Sequence, residues 1–214
     1  MLHSLAIAFN AGGPFMWVIL VVFAIACTVV ADRLIFYFII CQPNGVMLVA
    51  DVAKALNAND VAAAKKAVSK RRAPMNVLMQ TAVERFGAGM SFEDIQKGVD
   101  QAAIREMPRM TQRLNYLSLF ANIGTLLGLL GTIVGLQAMF SSLAAVEAEK
   151  KAAMLASGIA QAMNATAFGL IVAVPCMVAY TALYNKQQQI TRDLDEAVVR
   201  LLDYLEKKLL AGKK

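Results

Sequence analysis

Asn122, Thr125, Thr132 and Gln137 stand inside one charge-free stretch of this chain, Leu114–Val146, and Gln161, Asn164 and Thr166 inside another, Ala152–Asn185. Each of these side chains can donate or accept a hydrogen bond, and none can hold a proton for transfer near neutral pH. The one thiol in these stretches, Cys176, lies in apolar sequence and is a poor proton carrier. The chemistry available is orientation: a hydroxyl or amide can align water or bond a carboxyl group brought by something else. Nothing else suggests a reaction centre. The single His3 cannot form a histidine metal site, and the spacing of Cys27, Cys41 and Cys176 suits neither a metal nor a disulfide framework. These cysteines read as small hydrophobes in apolar segments. We expect no enzyme activity, no metal and no cofactor.

The residues around the hydroxyls are patterned. Along a helix, Gly124, Thr125, Gly128, Gly131, Thr132 and Gly135 fall within roughly 120° of arc, while Leu126, Leu129, Leu130 and Ile133 lie mostly outside it. A second small face follows: Gly158, Ala162, Ala165, Thr166, Gly169, Ala173 and Cys176 cover roughly 100°. Asn164 points about 160° away from Thr166, toward a neighbouring helix. In lipid, small faces let helix backbones approach closely and hydroxyls bond across the contact. For any one of these residues the plainer reading is packing, with the threonines bonding back to their own helix. Two matched faces on adjacent spans suggest more: a narrow groove that receives a foreign helix.

The elements that position these faces follow from charge. Of 214 residues, 58% are hydrophobic and only 17% charged, where a soluble domain carries nearer a quarter. Residues 1–31 hold no charge except a possible proton on His3, which adds a third charge-free block to the two above. Each block is long enough to cross a bilayer, which takes about 20 apolar residues. The chain reads as an all-α membrane protein with three transmembrane helices and long cytoplasmic extensions of the second and third. The segments are 1–13, periplasmic or interfacial; 14–41, first span; 42–113, a cytoplasmic helical domain; 114–142, second span; 143–157, a periplasmic loop; 158–184, third span; and 185–214, a cytoplasmic helix. In the cytoplasmic domain, two short helices joined by NAND precede a helix starting at Pro74. Ser91-Phe-Glu-Asp94 looks like a capping box opening one helix of about 50 residues that Pro108 kinks and the second span completes.

Orientation rests on Lys and Arg: none before the first span, eleven in 42–113, two in 143–157 offset by Glu147 and Glu149, and seven after Asn185. Positive segments stay in the cytoplasm, so the N-terminus is periplasmic and the C-terminus cytoplasmic. The net charge of +6 lies beside the spans, where topology and lipid headgroups account for it, and we expect no nucleic-acid partner.

Gly128-Leu-Leu-Gly-Thr132-Ile-Val-Gly135 resembles the GLLGTVxG signature of the MotA/TolQ/ExbB proton-channel family. Gly158-Ile-Ala-Gln-Ala-Met-Asn-Ala-Thr166-Ala-Phe-Gly169-Leu, with Pro175, resembles the family's GIxxAxxxTAxGL…P signature, and Asp32-Arg-Leu its E-R-L. Size and span number are similar to ExbB and TolQ. The resemblance implies a pentameric ring around the transmembrane helices of an ExbD- or TolR-like partner that carries the protonatable Asp. A TonB- or TolA-like protein acts beyond it, and protons are the coupling ion. It further implies that Thr132 and Thr166 line the proton pathway, with Gly128, Gly131, Gly135, Ala162, Gly169 and Ala173 facing the lumen and Gln161 and Asn164 as polar helix contacts. The energised process is outer-membrane transport, with Tol-Pal or gliding as alternatives, and a non-conducting scaffold as the rival. Two positions depart from the family pattern: Gln161 stands where many members have Glu, and Thr125 where many have Pro.

Overall fold

The computed structural model describes residues 13–41, 45–69, 73–143 and 147–211, and every regular element among them is helical. In order these are α1 (Phe15–Ile35), continued by a wider π-type turn (Phe36–Ile40), α2 (Gly45–Asn57), α3 (Val61–Val68), α4 (Pro74–Gly87), α5 (Phe92–Thr111), α6 (Leu114–Leu143) and α7 (Ala148–Ala211). Three helical stretches, within Phe15–Asn57, Phe92–Leu143 and Ala148–Ala211, are long and apolar enough to cross a membrane. The basic residues at 70–72 and the segment before Gly13 lie outside the described residues.

The chain divides into two compact units, one made of residues up to Asp32 with Arg113–Ala182, the other of Arg33–Gln112 with Leu183–Lys214. In the first unit, Ile19 and Ala26 of α1, Ala121 of α6, and Val172, Ala173 and Cys176 of α7 form a buried cluster flanked by Phe23, Phe120, Leu127 and Phe168. The opposite faces stay apolar and uncovered: Trp17, Val21 and Ile25 on α1, Leu126 and Ile133 on α6, Met163, Ile171 and Val178 on α7. A helix greasy all round is a membrane helix, because lipid solvates the face that protein does not cover.

The second unit is built as a water-soluble domain is built. The α7 tail buries Leu183, Ile190, Leu194, Ala197, Leu201 and Leu205, the three-and-four spacing of one helix face. Val198 and Leu202 are half-buried at the edge of that face. The Tyr204 hydroxyl lies 3.1 Å from the Ala53 carbonyl and 2.6 Å from Asn57 Oδ1, and the Lys208 ammonium donates to the Leu56 carbonyl, tying the tail to the end of α2. Helix ends are closed by side chains, since end carbonyls and amides have no ladder partner. Asp60 accepts from the Ala63 N–H at 2.8 Å, Asn76 donates to the Val68 carbonyl at 2.8 Å, and Ser91 accepts from the Asp94 N–H at 3.2 Å. The Ser91 box is a variant: its hydroxyl also donates to Asp94 Oδ2 at 2.7 Å.

The single helix expected from Ser91 through the second span is instead two helices. Pro108 sits within α5 without ending it, and the Gln112 N–H still donates to the Pro108 carbonyl at 2.9 Å. The break comes at Gln112, with ψ 142°, and Arg113, with φ +66°. Its cause lies on α1 and the turn after it. In an unbroken helix the carbonyls of Arg109 and Met110 would take the N–H groups of Arg113 and Leu114. Here Arg33 Nη1 donates to the Arg109 carbonyl at 3.4 Å, and the Tyr37 hydroxyl to that of Met110 at 2.6 Å. Both side chains are buried, and the Arg33 charge sits at a helix C-terminus, where a cation is favoured. Helix α7 begins earlier than expected, at Ala148 inside the stretch taken as a loop, and it runs unbroken through Pro175 into the tail. Alanines and paired charges such as Lys150–Glu147, 3.3 Å apart, favour helix there.

Candidate functional site

Both small faces belong to the first unit, and there they meet each other. Gly124, Gly128 and Gly131 of α6 are buried, as are Ala162, Ala165, Gly169 and Ala173 of α7. The approach is close enough to exclude side chains. A Cβ on Gly169 would stand 2.6 Å from the Gly124 carbonyl oxygen and 2.9 Å from Gly128 Cα; one on Gly128 would stand 3.2 Å from the Ala165 carbonyl oxygen. A Cβ on Gly131 would meet that of Ala165 at 2.8 Å, with Phe15 of α1 behind it. Gly135 is looser, its added Cβ meeting Ala162 at an ordinary 3.7 Å.

This corrects the expectation of a groove. Gly128, Gly131, Ala162, Gly169 and Ala173 were assigned to a lumen, yet within the chain they are covered by the facing helix, and half-buried Gly135 borders the same contact. The physical reason is the one that suggested the groove. Two glycine-rich faces on consecutive antiparallel-capable helices are each other's nearest complement, and backbone approach without a side-chain layer maximises dispersion contact where lipid supplies no hydrophobic drive.

The threonines flank this seam. Thr166 Oγ1 donates across it to the Gly128 carbonyl at 3.3 Å, joining the two helices. Thr132 and Thr125 bond back within α6, Thr132 Oγ1 to the Leu129 carbonyl at 2.6 Å and Thr125 Oγ1 to that of Ala121 at 3.1 Å. Thr125 and Thr132 thus bond within their own helix, and Thr166 bonds across the seam. Thr132 and Thr166 are half-buried, so part of each remains open beside the seam.

The amides are placed differently. Gln161 is half-buried near the start of α1: a Cβ on Gly13, whose φ is +78°, would lie 2.7 Å from Gln161 Nε2. The Gln161 amide thus packs on a backbone that only glycine lets it approach. Asn164 is half-buried, and no hydrogen bond joins it to another described residue. Asn122 and Gln137 are exposed. Among the described residues no cluster of His, Cys, Asp and Glu is arranged to hold a metal ion.

What reading the sequence missed is the helix joint. Asp32 lies 3.3 Å from Arg113, and Arg33 and Tyr37 cap α5. The signal was present in Asp32-Arg33 at the end of the first span, but the carbonyls it would reach lie 76 and 73 residues away.

Residues 70–196, a segment holding α4, α5, α6, both threonines and most of α7, match the MotA/TolQ/ExbB proton channel family. The chain belongs to this family. It is similar to the Tol-Pal system protein TolQ of Haemophilus influenzae, 32% identical over 45% of this chain and 42% of that one. It is similar as well to the biopolymer transport protein exbB1 of Vibrio cholerae, 45% identical over 30% of this chain and 28% of that one. A longer match is to the putative biopolymer transport protein ExbB-like 3 of Synechocystis, 28% identical over 75% of this chain and 80% of that one. The chain matches less than half the length of the TolQ and exbB1 relatives. Family membership and three apolar helices make it a multi-pass membrane protein.

Proposed function

We propose that this chain is the ring-forming subunit of a proton-driven motor in the bacterial inner membrane. Five copies surround the transmembrane helices of an ExbD- or TolR-like protein, whose intramembrane Asp carries the proton. Movement of that partner inside the ring is passed to a TonB- or TolA-like protein and does work at the cell envelope. Outer-membrane import is the first reading of that work, with Tol-Pal maintenance or gliding as the alternatives. The N-terminus is periplasmic, and the second unit with the α7 tail is cytoplasmic.

The observation that carries this reading is a division of chemistry. Helices α6 and α7 offer hydroxyls at membrane depth, on residues of the family match, and no acidic or basic side chain between Leu114 and Leu143 or between Ala152 and Asn185. An intramembrane carboxylate marks a proton path, and this chain leaves that group to another. The second reading is a non-conducting oligomeric scaffold, which gains from the small faces being covered within the chain.

Flux measurement in liposomes separates the two. The chain alone should pass no protons above background. Flux should appear when it is co-reconstituted with an ExbD- or TolR-like single-span protein, and should vanish when that protein's transmembrane Asp becomes Asn. Conduction by the lone chain, or none in the complex, overturns the proposal. Native mass spectrometry of the purified chain should show a closed pentamer; a stable monomer in mild detergent counts against the ring.

A further inference from the structure

Nothing local breaks the helix after α5. Between Pro108 and Leu114 the chain reads Arg-Met-Thr-Gln-Arg, with no glycine and no further proline, and Arg, Met and Gln are good helix formers. The break puts Arg113 at φ +66°, a left-handed conformation that is costly for a residue with a bulky side chain. It also leaves the Arg113 amide and the first amides of α6, at Leu114 and Asn115, outside any ladder. Kinks without proline or glycine arise where a side chain enters the ladder, and here two do.

Arg33 and Tyr37 stand four residues apart, with Phe36 between them. The Arg33 guanidinium lies 4.9 Å from the centre of the Phe36 ring, and that ring meets the Tyr37 ring edge-on, 5.6 Å between centres. One ring thus ties both donors together. Their acceptors, the Arg109 and Met110 carbonyls, are the two that a continuous helix would give to the Arg113 and Leu114 amides. Both donors are buried, so losing these acceptors is costly too. Asp32, the residue before Arg33, pairs with Arg113 itself at 3.3 Å.

Two hydrogen-bonding schemes therefore compete for the same two carbonyls. One uses the backbone, relieves Arg113 and makes α5 and α6 a single helix. The other uses Arg33 and Tyr37 and keeps two helices. Each scheme gives up what the other gains, which is the condition for a bistable element. We propose that the Gln112–Arg113 break is a two-state joint, held open by Arg33 and Tyr37 and closing into one continuous α5–α6 helix when both let go. Control lies with the first helix: a shift of α1 along its axis moves both donors together, so α1 sets whether α5 and α6 act as one rod. Loss of one donor leaves the other in place, and then the break survives while the end of α5 loosens. The joint stands apart from the proton reading, since it needs no partner to operate.

Hydrogen exchange of the full chain in lipid nanodiscs, resolved to single amides by mass spectrometry, tests the joint at Arg113, Leu114 and Asn115. In the unaltered protein these amides should exchange quickly. The double variant Arg33→Met, Tyr37→Phe removes both donors while keeping their bulk. It should slow the three amides roughly tenfold or more, because two side-chain bonds no longer oppose the ladder. Adding Arg113→Gly should restore fast exchange, since glycine takes a positive φ freely. A fold that had merely loosened would exchange faster, so slowing and its reversal belong to a rejoined ladder. If the double variant does not fold, Arg113→Ala and Arg113→Gly make the same comparison in the otherwise unaltered chain, with slower exchange expected for alanine alone. Three outcomes overturn the joint: slow exchange already in the unaltered protein, unchanged or faster exchange in the folded double variant, or equal exchange in the alanine and glycine variants.

Discussion

The two halves of α7 hold their surroundings by opposite means. Up to Ala182 the helix buries Ala162, Ala165, Gly169, Ala173 and Cys176; beyond Leu183 it buries Ile190, Leu194, Leu201 and Leu205. One half removes side chains so that backbones meet, and the other adds them so that apolar area is covered. The solvent explains the difference. In water a buried leucine gains about 1.5 to 3 kcal/mol from leaving solvent. In lipid that gain is absent, and close packing of small residues with an occasional interhelical hydrogen bond takes its place. One continuous helix therefore obeys two rules, and the charge-free sequence ends at Asn185, close to where the rule changes.

The comparison breaks if size changes do not act in opposite senses on the two halves. The largest effect is expected at Leu201, only 1% exposed: Leu201→Ala should cost about 2–5 kcal/mol through the cavity it leaves. Chemical unfolding of the detergent-solubilised protein, followed by helical circular dichroism, measures it. At the seam the penalty should come from added size. Gly169→Ala places a methyl 2.6 Å from the Gly124 oxygen and should cost about 1–3 kcal/mol by the same assay. If Gly169→Ala is neutral, backbone contact is not what holds α6 to α7.

The next two effects sharpen the picture. Tyr37→Phe removes the donor from the Met110 carbonyl and should cost about 1–3 kcal/mol if that oxygen stays dry. Amide exchange should quicken at the end of α5, the part whose ladder Tyr37 completes; uniform exchange would show that the break at Gln112–Arg113 does not depend on α1. Smallest of all, Gly135→Ala meets Ala162 at van der Waals distance and should shift the midpoint by less than about 0.5 kcal/mol. A penalty at Gly135 equal to that at Gly169 would mean the seam is uniformly tight. Replacing Arg113 by Ala should be similarly mild, because both it and Asp32 are exposed and such pairs contribute little.

The sequence by itself determined which segments are free of charge and the period of each helix. Charge-free runs, the Leu and Ile stripe of the tail, Asp60 and Ser91 at helix starts, and Pro74 at the head of α4 are local signals, and their physics acts over a few residues. It also identified both small faces and both threonines, because helical periodicity puts residues three and four apart on one side. Only the tertiary structure decided what those faces meet. A glycine face records that something comes close, and its sequence is the same whether the visitor is a foreign helix or the next helix of the chain. The break after α5 was equally hidden, for the donors that replace its ladder bonds, Arg33 and Tyr37, stand more than 70 residues away. So was the direction of each threonine's proton, which depends on a carbonyl 3 residues back for Thr132 and 38 residues away for Thr166. Hydrogen bonds and close packing act over a few ångströms of space, and distance along the chain carries no information about them until the chain has folded.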